Sequence, residues 1–136
     1  MIKDKLDIFI IEDNKLFATM LRAEFEKASY LEQFEVHVFE NGEACESRLS
    51  LQPDLAIVDY HLDGVNSKAM NGIEVIQLIK ERSPETVFIM ITMDEKAELF
   101  LRSKEEGVYD HITKGPLLPF KLELSIQQWL KWRSNQ

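Results

Sequence analysis

Cysteine is nearly absent: Cys45 stands alone, which excludes an intramolecular disulfide framework and a cysteine-built zinc module and fits a reducing compartment. With only five Gly and four Pro in 136 residues, there is no flexible linker, repeat or low-complexity tract. No apolar run approaches the roughly 18–20 residues of a membrane span. The first residues are charged up to Asp7 and apolar without interruption only over 8–11, too short and too acidic for a signal peptide. Basic residues are also in deficit, 16 Lys and Arg against 24 Asp and Glu, a net charge of −8. Such a surface repels phosphate backbones and anionic lipid. The expectation is one cytoplasmic domain over 1–136, with no membrane insertion and no direct nucleic-acid partner.

What is present is a 45% apolar complement arranged in short runs. Three of them, IFII at 8–11, LAIV at 55–58 and VFIMI at 87–91, are rich in β-branched or aromatic residues and end in a polar one. They read as strands buried on both faces, as in a parallel sheet. FEVHVF at 34–39 and the segment 108–112 are weaker strand candidates. Between them lie helical spacings. Phe17, Met20, Leu21, Phe25 and Ala28 share one face. Ile73, Val75, Ile76 and Ile79 form a helix opened by Asn71-Gly72 and ended by Ser83-Pro84. Ala97, Phe100 and Leu101 form a stripe after a cap at Asp94 and before Gly107, leaving Leu99 off the stripe and exposed. Leu118, Leu122, Ile126, Trp129 and Leu130 form the last, with Pro119 in its first turn and its end near Trp132. Ala44, Cys45 and Leu49 suggest a short helix. Strand and helix alternate five times, which predicts an α/β fold with a doubly wound, five-stranded parallel sheet. In such sheets ligands bind beyond the carboxyl ends of the strands.

Those ends carry Glu12 and Asp13 after the first strand, Asp59 after the third, Thr92 after the fourth and Lys114 after the fifth. Each alone has an ordinary structural explanation, an Asp as a helix cap or a Thr as a β-former. Together they have a chemical logic. Clustered carboxylates repel unless a cation neutralises them, and hard oxygen ligands suit Mg²⁺. One carboxylate can act as a nucleophile toward phosphorus, with positive charge from Mg²⁺ and a Lys on the phosphoryl oxygens.

The order and spacing of Ile-Ile-Glu12-Asp13, Ala-Ile-Val-Asp59, Met-Ile-Thr92 and His-Ile-Thr-Lys114 resemble the receiver domains of two-component response regulators, over nearly the whole chain. The resemblance implies a flavodoxin-like fold with strand order 2-1-3-4-5. It implies Asp59 as phosphoacceptor, and Glu12, Asp13, Asp59 and the main-chain carbonyl of His61 as ligands of Mg²⁺. It further implies Lys114 as the phosphate-pairing cation, and Thr92 and His111 as switch residues. The partners implied are a histidine kinase or histidine phosphotransfer protein and an unidentified downstream protein. The face of the fourth helix, fifth strand and fifth helix is a candidate homodimer contact.

The chain departs from that family in four places. Asp63 and Ser67 replace the usual Pro and Gly, and the matching Gly is Gly72, thirteen residues after Asp59 instead of eight, so the loop is five longer (13 − 8), with 64–70 as the extra material. Met93 stands where a small residue is usual. His111 replaces an aromatic switch and can carry charge near neutrality, so a pH-sensitive output face is expected. Lys114-Gly115-Pro116 replaces a Lys-Pro pair whose peptide is commonly cis. His61 and Asp94 occupy positions that tune phosphoryl lifetime and are expected to pair across the mouth of the site.

Three functions compete. The first is a phosphoacceptor switch, not a turnover enzyme, with self-catalysed phosphotransfer and dephosphorylation. The second is a receiver-like interaction module that is never phosphorylated. The third is a Mg²⁺-dependent phosphatase with an aspartate nucleophile, similar to haloacid-dehalogenase-like hydrolases. Those enzymes want a second Asp two residues on, where this chain has His61, and the chain has no room for their cap domain.

Overall fold

The computed structural model describes residues 3–62, 69–93 and 96–136. Five parallel strands, β1 (Leu6–Ile11), β2 (Phe34–Phe39), β3 (Leu55–Asp59), β4 (Val87–Thr92) and β5 (Asp110–Thr113), form one sheet in the order β2-β1-β3-β4-β5. Between and after them run α1 (Lys15–Lys27), α2 (Gly42–Glu46), α3 (Gly72–Arg82), α4 (Ala97–Glu105) and α5 (Leu118–Ser134). This is the flavodoxin-like order expected above. No helix among the described residues is long and apolar enough to cross a membrane.

The apolar strands are buried twice over because successive side chains point to opposite faces. Ile8 and Ile10 of β1 join Ile57, Ile89 and Ile112 in a core closed by Leu21 and Phe25 of α1 and Leu122, Ile126 and Trp129 of α5. Phe9 and Ile11 face the other way, into a core with Ala56, Val58, Phe88 and Met90, closed by Cys45 and by Ile73, Ile76 and Ile79 of α3. Each fully buried aliphatic side chain contributes about 1.5–3 kcal/mol, which holds the strands, and so their carboxyl ends, in fixed register.

Helix starts follow local chemistry. Asn14 caps α1, its Oδ1 accepting the Phe17 N–H at 3.0 Å. Asn71 and Glu74 form a reciprocal capping box at α3, each side chain accepting the other's backbone N–H at 3.0 Å.

Four readings of the sequence are corrected. In α4 the buried face is Leu99 and Ser103, while Ala97, Phe100 and Leu101 are exposed. Three consecutive apolar residues fit either rotation of a nine-residue helix, and packing of Leu99 onto the Phe88 and Met90 side of the sheet decides it. The cap position of that helix is Lys96, with no side-chain bond to the first turn; Asp94 lies outside the described residues. The fifth strand starts at Asp110, not 108, because the Val108 N–H closes the end of α4 on the Ser103 carbonyl at 3.1 Å. Gly107, at φ +81°, makes that turn. The last helix also continues past Trp132 to Ser134.

Cys45 is fully buried, and burial pushes its thiol up to about 12. A thiol reagent at about pH 8 is therefore expected to leave the native protein unlabelled and to label one thiol after denaturation, read by mass spectrometry.

Candidate functional site

The residues that follow the strands meet at one rim of the sheet. β1 is followed by Glu12, whose backbone N–H donates to the Phe39 carbonyl of β2 at 2.9 Å. Asp59 ends β3 opposite Ile91, and Thr92 ends β4 opposite Thr113. The Lys114 N–H donates to the Thr92 carbonyl at 2.7 Å, so one backbone bond sets the root of the Lys side chain beside the end of β4.

The Lys114 ammonium, 8% exposed, lies 2.8 Å from Glu12 Oε1 and 3.3 Å from Asp59 Oδ2. The second oxygen of each carboxylate is held by backbone: Glu12 Oε2 accepts the Asn14 N–H at 3.1 Å, and Asp59 Oδ1 accepts the His61 N–H at 3.2 Å. Burial pushes the Glu12 carboxyl up to about 7; the Lys114 ammonium pulls against that shift and the Asp59 charge adds to it. For Lys114, burial alone would lower the pKa, but Glu12 and Asp59 outweigh it and hold the ammonium above its usual value.

Glu12, exposed Asp13 and Asp59 each bring a carboxylate oxygen to within 4.8 Å of the others. A buried carboxylate disfavoured in its charged form, beside two more, is a hard-oxygen set that fits a divalent cation. Thr92 is fully buried at the same rim, and Met93 beside it is 69% exposed. The His61 side chain is exposed, with its ring edge-on to Tyr60 at 4.8 Å. Its expected partner Asp94 lies outside the described residues, as do Asp63, Ser67 and most of the extra loop. No described peptide bond is cis, that of Pro116 included.

Gly72 explains how the longer loop returns. Its N–H donates to the Tyr60 carbonyl at 2.8 Å, and a Cβ there would lie 2.6 Å from the Asp59 carbonyl oxygen and 2.7 Å from Tyr60 Cα. Only glycine lets α3 begin this close to the strand that carries Asp59.

His111 stands apart from the rim. It pairs in register with Met90, half-buried, with its ring edge-on to Phe100 at 5.5 Å. Its Nε2 is buried without a hydrogen-bond partner among the described residues. Burial lowers its pKa below the usual 6.5, against the opposing charge of Asp110. Two neighbours of the rim carry no signal in the sequence. Nothing in the sequence marks Asn14 as the cap it proves to be, and Phe17, read there as a core-facing residue, also sets its ring 4.4 Å from the Lys114 Nζ.

The family model of the response regulator receiver domain matches residues 8–123. The chain belongs to this family. The receiver is 33% identical over 119 residues to a cyclic di-GMP phosphodiesterase of Thermotoga maritima, an alignment that takes in 88% of this chain and 28% of that protein. It therefore spans little more than a quarter of that relative. Among solved structures, it is similar to a CheY-like receiver domain protein from Methanospirillum hungatei JF-1 (TM-score 0.79, 20% identity, 96% of this chain and 98% of that one). It is also similar to the signal receiver domain of a modulated diguanylate cyclase from Desulfovibrio desulfuricans G20 (TM-score 0.73, 29% identity, 92% and 93%).

Two predictions follow from this geometry. Gly72→Ala in the receiver should cost about 1–3 kcal/mol, read as a lower denaturant midpoint, because both atoms its methyl meets are backbone. His111 binds its proton more readily unfolded than folded. The stability its neutral form contributes is therefore full above the unfolded value of 6.5 and is lost as pH falls from there through the depressed folded value. His111→Phe should lose less stability than the parent between roughly pH 7 and pH 5; equal losses in denaturant titrations would contradict this.

Proposed function

We propose that this receiver accepts a phosphoryl group on Asp59 and uses it to change its affinity for a protein partner. The observation that carries the reading is the buried Lys114 ammonium 3.3 Å from one Asp59 oxygen, with two further carboxylates at the same rim. Glu12, Asp13 and Asp59, with the main-chain carbonyl of His61, would hold Mg²⁺, which when bound supplies positive charge beside the phosphoryl oxygens. The donor is a phosphohistidine on a histidine kinase or phosphotransfer protein. An Asp59 carboxylate oxygen forms the new bond to phosphorus while the phosphorus–nitrogen bond breaks. The imidazole leaves with the electron pair and regains a proton on return to solvent.

Lys114 balances charge throughout. Before transfer it faces two carboxylates, and afterwards it faces Glu12 and a phosphoryl group carrying up to two negative charges. The Thr92 hydroxyl is the donor that follows the new oxygens, and His111 answers on the same side of the sheet. A ligand shifts such an equilibrium only by its differential interaction with the two states, and the added charge at Lys114 and Thr92 supplies that difference. Output runs through the face of α4, β5 and α5, where Phe100, Leu101, Leu117 and Phe120 are exposed, to a downstream protein or a second copy. The setting is cytoplasmic, and the protein is a switch, not a turnover enzyme.

Incubation with Mg²⁺ and acetyl phosphate, followed by intact mass measurement, should give one phosphoryl adduct that is lost in Asp59→Asn and without Mg²⁺. Absence of an adduct with any donor would instead indicate a receiver kept only for protein contact. Turnover of unrelated phosphomonoesters would indicate a phosphatase.

A further inference from the structure

We infer that Phe17 is a positioning residue for phosphoryl transfer, its ring face holding the Lys114 ammonium at the rim while the carboxylates around it change partners. This rests on Asp59 being the phosphoacceptor. The ammonium has three sides to satisfy. Two face Glu12 Oε1 at 2.8 Å and Asp59 Oδ2 at 3.3 Å, and the Phe17 ring centroid lies 4.4 Å away. An aromatic face attracts a cation through its quadrupole, more strongly where water is excluded, and the Lys114 side chain is only 8% exposed.

The ring is itself held from two directions. Phe17 is half-buried against the core beneath α1. Its backbone N–H donates to Asn14 Oδ1 at 3.0 Å, and the Asn14 N–H donates to Glu12 Oε2 at 3.1 Å. One capping residue thus orients both the aromatic and the acidic partner of the same ammonium.

The difference between these partners matters during the reaction. Glu12 and Asp59 are the oxygens a divalent cation would take, and a dication shared with them weakens their hold on Lys114 and repels it. Asp59 also ceases to be a carboxylate once it carries phosphorus. The Phe17 ring offers no oxygen to a divalent cation and is unchanged by either event. It keeps the ammonium within reach of the incoming phosphoryl oxygens when its charged partners are engaged elsewhere.

The test compares Phe17→Leu and Phe17→Met, which keep an apolar side chain without a ring, with Phe17→Tyr and Phe17→Trp, which keep the ring. Two readouts are taken on the full chain. Without metal, NMR reads the Lys114 side-chain methylene protons, which a ring face shifts upfield. With saturating Mg²⁺, the initial rate of adduct formation from acetyl phosphate is followed by mass. Leu and Met should move the Lys114 signals downfield and slow the reaction about 2- to 10-fold, while Tyr and Trp stay within about twofold of the parent. Melting temperatures of the Met and Tyr variants separate this from lost packing, and that pair carries the comparison if Phe17→Leu does not fold. Equal rates in ringed and ringless variants, or unmoved Lys114 signals, overturn the inference and leave the phosphoacceptor reading standing. No adduct on the parent protein overturns that reading and the role of Phe17 with it, while the NMR signals still report the contact.

Discussion

A buried ammonium shared by two carboxylates is the constraint around which the rest is arranged. Lys114 reaches in from the edge strand β5 to Glu12 at the end of β1 and Asp59 at the end of β3. Withdrawing such charges from water costs several kcal/mol per ion, and hydrophobic residues of similar size often serve stability as well or better. A cluster of this kind is weakly explained by folding and well explained by chemistry at the rim. It also sets a requirement on the scaffold, since three separate strands must end at the same height.

The doubly buried parallel sheet meets that requirement. Alternating side chains of β1 lock into two cores at once, Ile8 and Ile10 on one face and Phe9 and Ile11 on the other. A slip of one residue would exchange the two sets. The backbone bond from Lys114 to the Thr92 carbonyl and the tight seat of Gly72 over Asp59 and Tyr60 add local fixation where the core ends. The same β5 that leads into Lys114 also carries His111 beside Phe100. Events at the rim and the exposed apolar surface of α4 and α5 are therefore only a few backbone bonds apart.

Legibility differed from element to element for physical reasons. The strands at 8–11, 55–58 and 87–91 were readable because burial on both faces demands unbroken apolar runs. The start of α3 was readable at Asn71-Gly72 because a cap is local, Asn71 accepting the Glu74 N–H within one turn. The rotation of α4 was not, since Leu99, Phe100 and Leu101 are adjacent and their period is ambiguous; contact with the sheet chose Leu99. The onset of β5 was displaced by two residues because the turn at Gly107 uses the Val108 N–H.

Taken by itself, the amino-acid order determined the fold class, the strand order through family resemblance, and which side chains end the strands, because periodicity and local caps are properties of neighbouring residues. Only the folded molecule decided which of those side chains touch. The pairing of Lys114 with Glu12 and Asp59, the ring of Phe17 against the same ammonium and the burial that pushes Glu12 up to about 7 all join residues remote in the chain. Distance, exclusion of water and the fields of neighbouring charges exist only once the sheet has brought its strand ends together.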